Sequence, residues 1–448
     1  MNIDSPSAGP PVSAAARALN ETLAAAAPAL EGALAPLGKA AAYPPDIPAQ
    51  AAEARGASFN ATIGQITDGA GRALPLPAVE RPLASWDPVR RHRALLYSPV
   101  DGGAELRQAW RRWQRRGVDE ALPSSLPLVV DGLTHGIAVA ADLFSRPGLQ
   151  VVVPAPFWGN YRQIFSLRTG AEIVPVPMYD DGRFRATALG EALAALPVPD
   201  SGEPLIVILN FPSNPGGYMP TAEEREELRR GLVAAAARRT VVAICDDAYV
   251  GLVYDAATPR GSVFWDLVGA HPGLVPVKVD GATKEFALFG ARVGFLTLAL
   301  EPDTPAAAAL ESKLKCLSRA VVGSPVALGQ MLLLEALESP GRDAELAALH
   351  AELATRWRVL PAAGEGLDRS LLRPLPCNAG GFALYEIPEE LGIEADAVRR
   401  HLLAEEDTGV VALAPRYLRL AFCSVAAPRL PELLARVVRG VRAVAAAG

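Results

Sequence analysis

Cysteine is scarce in this chain and badly placed for pairing. Four are present in 448 residues (Cys245, Cys316, Cys377 and Cys423), far apart and with no Cys-x-x-Cys pair. That argues against a disulfide framework or a zinc site and fits a reducing compartment. Positive charge is not in excess: the net charge is −6, so the basic footprint of a nucleic-acid-binding protein is missing. No long uncharged apolar run occurs either. The most apolar stretch, about residues 14–42, is mostly alanine and carries Arg17, Glu21, Glu31 and Lys39, too many charges for a membrane span. The start, Met1-Asn-Ile-Asp-Ser-Pro6, has no basic segment followed by an apolar one, so no secretory signal is expected. Internal repeats are absent, as are charge runs long enough for a disordered tail. The expectation is a cytoplasmic protein with neither a nucleic-acid nor a membrane partner.

What is present points to an α/β enzyme. Hydrophobic residues make up 50% and charged residues 21%, ordinary for a globular enzyme, and the length predicts two domains. Between Leu126 and Leu300, short β-rich runs alternate with helical patterns. The runs are Leu126–Val130, Gln150–Pro154, Glu172–Val176, Leu205–Leu209, Val241–Cys245, Val275–Val279 and Val293–Leu298. Several are almost entirely Val, Ile and Leu, as strands buried on both faces must be. Such alternation predicts a mostly parallel seven-stranded sheet sandwiched by helices. Thr221-Ala-Glu-Glu224 is a capping-box pattern that should open a helix. Beyond about residue 306, long helical patterns (Pro305–Leu317, Ser324–Leu337, Asp343–Leu360) precede short strands at Phe382–Glu386 and Tyr417–Phe422. The expected division is a helical arm over 1–55 with one or two Ala-rich helices, a large domain over 56–305, and a smaller α+β domain over 306–448, joined by the arm.

The informative polar residues stand at the ends of those strands. In doubly wound sheets the strand C-termini open onto a crevice where ligands bind. Asn214 lies in Asn210-Phe-Pro-Ser-Asn-Pro-Gly-Gly217, and Cys245-Asp-Asp-Ala-Tyr249 ends the next apolar run. Lys284 lies in Gly281-Ala-Thr-Lys284, and Arg292, eight residues on, in Gly290-Ala-Arg-Val-Gly294. A lone lysine or arginine is most often a solvated surface residue. The order Asn, Asp, Tyr, Lys, Arg, each at a strand end, is not an ordinary surface pattern. It resembles the fold-type I pyridoxal-phosphate enzymes and, within them, the class I/II, aspartate aminotransferase-like family, from about residue 57 to the C-terminus.

The resemblance implies a role for each residue. Lys284 matches the lysine that forms the Schiff base with pyridoxal 5′-phosphate. Arg292 matches the arginine that grips the phosphate with its planar fork. Asp246 matches the carboxylate that keeps the pyridine nitrogen protonated. Asp247 is its rival, since neighbours on a strand face opposite ways, and the family pattern Asp-x-Ala-Tyr selects Asp246. Tyr249 and Asn214 match the pair that hydrogen-bonds the ring hydroxyl. Gly132, Leu133 and Thr134 open a helix where free backbone N–H groups receive phosphate, Thr134 adding a hydroxyl. Trp158 sits where an aromatic ring stacks on the cofactor, with Phe157 as rival. Arg419 matches the arginine that takes the substrate α-carboxylate, with Arg416 a close competitor. Gly64 matches the segment closing over that carboxylate. Tyr97 matches the tyrosine reaching the neighbouring subunit's phosphate, which implies a homodimer with shared active sites.

Gly281 departs from the pattern: many relatives carry serine there, and Thr283 is the candidate substitute hydroxyl. The implied function is transfer of an amino group between an α-amino acid and a 2-oxo acid. The same cofactor cup also serves elimination, cyclisation or carbon–carbon bond formation on an amino acid or S-adenosylmethionine, because fold and cofactor do not fix reaction type. A regulator built on this fold would need a basic helix-turn-helix, which the first 55 residues do not offer. No second arginine for a dicarboxylate side chain is identifiable.

Overall fold

Strands buried within a sheet sandwiched by helices favour apolar side chains, and seven largely apolar segments form one sheet. In the computed structural model, which describes residues 10–68, 71–200 and 202–447, they are β1 (Leu128–Val130), β2 (Gln150–Ala155), β3 (Glu172–Pro177), β4 (Leu205–Leu209), β5 (Val241–Asp246), β6 (Leu274–Gly281) and β7 (Gly294–Leu298). The order across the sheet is β1-β7-β6-β5-β4-β2-β3. The pairs β2–β3, β2–β4, β4–β5 and β5–β6 are parallel, while β7 runs antiparallel to β6 and β1. The sheet is therefore mostly parallel, as its apolar runs predict.

Period-two alternation divides its side chains between two cores. Leu205, Val207, Leu209, Val241 and Ala243 pack in one layer with Leu189 and Leu193 of helix Thr187–Ala195 and Leu228 and Leu232 of helix Ala222–Ala236. Ile206, Ile208, Val242 and Ile244 pack in the other with Ile137 and Ala140 of helix Leu133–Phe144. Each buried aliphatic side chain contributes about 1.5–3 kcal/mol of transfer free energy. The capping box forms: the Glu224 amide donates to Thr221 Oγ1 at 3.3 Å, and the Thr221 amide to Glu224 Oε2 at 2.8 Å.

A second, four-stranded antiparallel sheet comprises Arg373–Pro374, Ala383–Glu386, Tyr417–Leu420 and Val411–Leu413 in that spatial order. Helices Arg342–Ala363, Ala395–Glu405 and Leu430–Ala447 pack with it through Leu353, Leu402 and Val437. The arm is more broken than its composition suggests: among the described residues four helices occur, Ala14–Ala26, Pro28–Gly32, Pro36–Ala40 and Ile47–Glu53. Prolines at the starts of three of them explain the division, since proline fits a first helical turn but not an interior. The last of these helices is tied to the C-terminal part by Gln50, which donates to the Ala412 carbonyl at 3.0 Å and accepts from its amide at 2.8 Å. Phe59–Asn60 then pairs in parallel with Thr408–Gly409, so this early segment also runs against the C-terminal half. No described helix is long and apolar enough to cross a membrane.

Candidate active site

The C-terminal ends of β2, β4, β5 and β6 and the loop after β1 surround a cavity of about 220 Å³. Its floor is set by strand parity. Asp246, the last residue of β5, lines the cavity and is 4% exposed. Asp247 turns to the other side and pairs with buried Lys278 at 2.9 Å. Among the described residues the cavity therefore receives one carboxylate, Asp246. Burial pushes that carboxyl up to about 6, against the Tyr161 hydroxyl and the Ala248 amide, which both donate to it. Tyr161 is fully buried and its hydroxyl lies 2.5 Å from Asp246 Oδ2.

Lys284 follows β6 on a single helical turn, Ala282–Glu285, which projects its amine across the cavity to donate to the Gly64 carbonyl at 3.1 Å. Burial lowers its ammonium to about 8. Cys423 and Asp246 oppose that shift, while Arg292 and Arg419 reinforce it. The amine also lies 5.6 Å from the Tyr249 ring centroid and 4.6 Å from that of Phe289. Tyr249 is buried and packs edge-on against Phe382 at 5.5 Å. Asn214 is positioned by Asn210, whose Oδ1 accepts the Asn214 amide at 2.7 Å and whose Nδ2 donates to the Asp246 carbonyl at 2.9 Å.

One end of the cavity lies at the start of helix Leu133–Phe144. Gly132 precedes it with φ of 83°, a conformation natural only to glycine, and the Arg292 guanidinium lies where a Gly132 side chain would be. Leu133, Thr134, Thr283 and Arg292 line this end. Thr283 Oγ1 is buried without a hydrogen-bond partner among the described residues. A buried hydroxyl without a partner is costly, and a phosphate oxygen would satisfy it. Gly281 has a packing reason for lacking a side chain: a Cβ there would meet the Val293 carbonyl oxygen at 2.6 Å and Gly294 Cα at 2.9 Å. A serine would need the β6–β7 junction to open.

Trp158, not Phe157, lines the cavity, and its ring meets Tyr161 edge-on at 5.4 Å. Opposite, Arg419 projects from the small sheet. It donates to Asn214 Oδ1 at 3.1 Å and to the Thr62 carbonyl, while its Nε is buried without a partner among the described residues. Burial depresses its guanidinium to about 10. Arg416 points elsewhere, to Glu386 and Glu389. Gly64 faces the Phe382 ring so closely that a Cβ would lie 2.4 Å from its Cζ. Tyr97 is 96% exposed and is not part of this cavity within one subunit.

Sequence reasoning missed Tyr161, Asn210, Phe382 and Ile47, all at the site. Tyr161 and Asn210 stand inside segments already singled out, three residues after Trp158 and four before Asn214. Phe382 and Ile47 carried no local signal, because they reach the cavity from segments remote in sequence.

A model of the family described as aminotransferase class I and II matches residues 60–437. The chain belongs to that family. This aminotransferase is 28% identical to the arginine–pyruvate transaminase of Pseudomonas aeruginosa over 342 residues, 75% of this chain and 78% of that protein. It is 25% identical to a putative aminotransferase of Bacillus subtilis over 356 residues, 77% of this chain and 83% of that one. In fold it is similar to an aminotransferase from Anaerococcus prevotii, with a TM-score of 0.74 and 21% identity, covering 89% of this chain and 96% of the other. The α-aminoadipate aminotransferase of Thermus thermophilus, solved with N-(5′-phosphopyridoxyl)-L-leucine, gives 0.66 and 23% over 86% of this chain and 94% of that one. The aminotransferase is thus a pyridoxal-phosphate enzyme. Among the described residues, the unpartnered Thr283 hydroxyl, the helix start beside Arg292 and the carboxylate lining the cavity, Asp246, fit that cofactor's phosphate and ring nitrogen.

Proposed function

We propose that Lys284 holds pyridoxal phosphate covalently through Nζ and moves the substrate proton in a transamination between an α-amino acid and a 2-oxo acid. The observation that carries this is the placing of the Lys284 amine in one cavity with Asp246, Tyr249, Arg292 and Arg419. When bound, the cofactor supplies a sink for the electrons left on Cα as its proton departs. Asp246 would hold the ring nitrogen protonated, and Tyr161 and the Ala248 amide would hold Asp246 in place. Tyr249 and Asn214 would hydrogen-bond the ring hydroxyl, and Trp158 would cover the ring. Arg292, Thr283, Thr134 and the amides after Gly132 would take the phosphate.

Arg419 receives the substrate α-carboxylate in this scheme. Its unpartnered Nε and planar fork suit a two-point grip, and Gly64, next to Ile63, closes over the same region. Once the substrate's amine has displaced it, Lys284 has a free amine that burial lowers to about 8, partly neutral at physiological pH, so it can take the proton from Cα and deliver it on the other side of the transferred nitrogen. We assign Tyr97 to the neighbouring subunit's phosphate in a cytoplasmic homodimer; its exposure supports that reading. The division into an arm over 1–55, a cofactor domain over 56–305 and a small domain over 306–448 belongs to the same proposal.

The test is to mix the purified holoenzyme with single amino acids and follow the cofactor spectrum, then to fix the resting enzyme with borohydride. Conversion to the amine form of the cofactor, with the label on Lys284, is the expected result. A label on another lysine would remove the central claim, and spectral change without the amine form would point to elimination or cyclisation.

A further inference from the structure

We propose that Asp46 sets the substrate specificity of this aminotransferase by receiving the positive end of a cationic amino-acid side chain, as in lysine, ornithine or arginine. The inference deepens the proposed function and rests on Arg419 taking the α-carboxylate. Asp46 immediately precedes helix Ile47–Glu53, where an aspartate ordinarily accepts a first-turn N–H. Here its side chain makes no such cap. The carboxylate turns instead toward Gly159, and Oδ2 lies 3.6 Å from where a Gly159 Cβ would stand. Gly159 follows Trp158 and Ile47 follows Asp46, and Trp158 and Ile47 both line the cavity. Asp46 is not itself part of that lining, but its carboxylate adjoins Gly159, next to the lining residue Trp158.

Its Oδ1 is out of contact with solvent and has no hydrogen-bond partner among the described residues. Burial also raises the carboxyl above its ordinary range. A shielded carboxylate oxygen without a partner is unfavourable, and a cation is the ligand that relieves it most. The other charges agree. Among the described residues the cavity's cations are Lys284, Arg292 and Arg419, and all three are engaged by the cofactor or the α-carboxylate in the proposed function. None remains for a side-chain carboxylate. Ile47, Ile63 and Phe382 supply apolar wall. A methylene stem ending in a cation suits both surfaces, since such side chains bury the stem and pair the tip.

The test uses the holoenzyme and compares second-order rates of cofactor conversion with L-arginine, L-ornithine, L-lysine, L-leucine and L-aspartate. The basic amino acids should react fastest, and Asp46→Asn should lower the arginine-to-leucine ratio by about tenfold or more, the loss expected for one hydrogen bond between charged groups. A preference within the basic set separates guanidinium from ammonium recognition. Binding of 2-methyl-L-arginine, which has no Cα proton to lose, should weaken about as much when titrated spectroscopically, and Asp46→Glu should recover part of it. Wild-type preference for leucine or aspartate, or an equal loss on every substrate in Asp46→Asn, overturns the role of Asp46 and leaves the transaminase reading standing. Failure of every amino acid to convert the cofactor would overturn both.

Discussion

Asp246→Asn tests the electrostatic design of the site in the protein without its cofactor. Asp246 is 4% exposed and its carboxyl titrates near 6 in the folded chain, against a reference of 3.8. The folded state therefore holds the proton more tightly than the unfolded state. Wild-type stability should be unaffected by this group below about pH 4, fall as pH rises through the window between the two values, and level off above about 6. A difference of roughly two units corresponds to about 3 kcal/mol. Asparagine does not titrate there, so the stability of the variant minus that of wild type should grow by about 3 kcal/mol from pH 4 to pH 7. Only this pH-dependent part counts. The amide turns an acceptor into a donor facing the Tyr161 hydroxyl or the Ala248 amide, which adds a constant offset. Urea denaturation of both cofactor-free proteins at several pH values measures it. A flat difference, or one that shrinks with pH, would refute the reasoning. With cofactor loaded, the same substitution should slow transamination by about a thousandfold, equivalent to about 4 kcal/mol of barrier. The carboxylate would then cost stability and supply activity.

Two further outcomes test the remaining assignments. Arg419→Lys keeps the charge but loses the fork that spans Asn214 and Thr62, so amino-acid KM should rise by about tenfold while cofactor affinity holds. Arg416→Lys, which disturbs pairs with Glu386 and Glu389 away from the cavity, should change KM little; equal effects in a KM titration would undo the choice between them. Tyr97→Phe and Lys284→Ala proteins should each be impaired, yet mixed dimers should regain activity because one of their two sites carries both residues intact. No recovery on mixing would return Tyr97 to its own subunit or to no site.

Much of this was legible locally. Strands buried on both faces are mostly apolar, so the seven short apolar-rich runs, several almost entirely Val, Ile and Leu, marked the seven strands of the sheet. The capping box was readable because its donors and acceptors lie three residues apart. The order of Asn214, Asp246, Tyr249, Lys284 and Arg292 along the chain was enough for the family, since each follows or precedes a strand whose end faces the same crevice.

Tertiary structure decided what depends on distance between remote residues. Parity said that Asp246 and Asp247 face apart and the family pattern pointed to Asp246; the structure supplies the reason, with Asp246 at the cavity and Asp247 paired with Lys278 behind it. The choice of Trp158 over Phe157, and of Arg419 over Arg416, likewise needed the partners each side chain meets. In the sequence Gly281 was a departure from the family's serine, with Thr283 as substitute hydroxyl, and only the approach of β7 shows why no Cβ fits there. Tyr161, Phe382, Ile47 and Asp46 acquire meaning from neighbours far along the chain, because side-chain environment is set by long-range packing that no local pattern records.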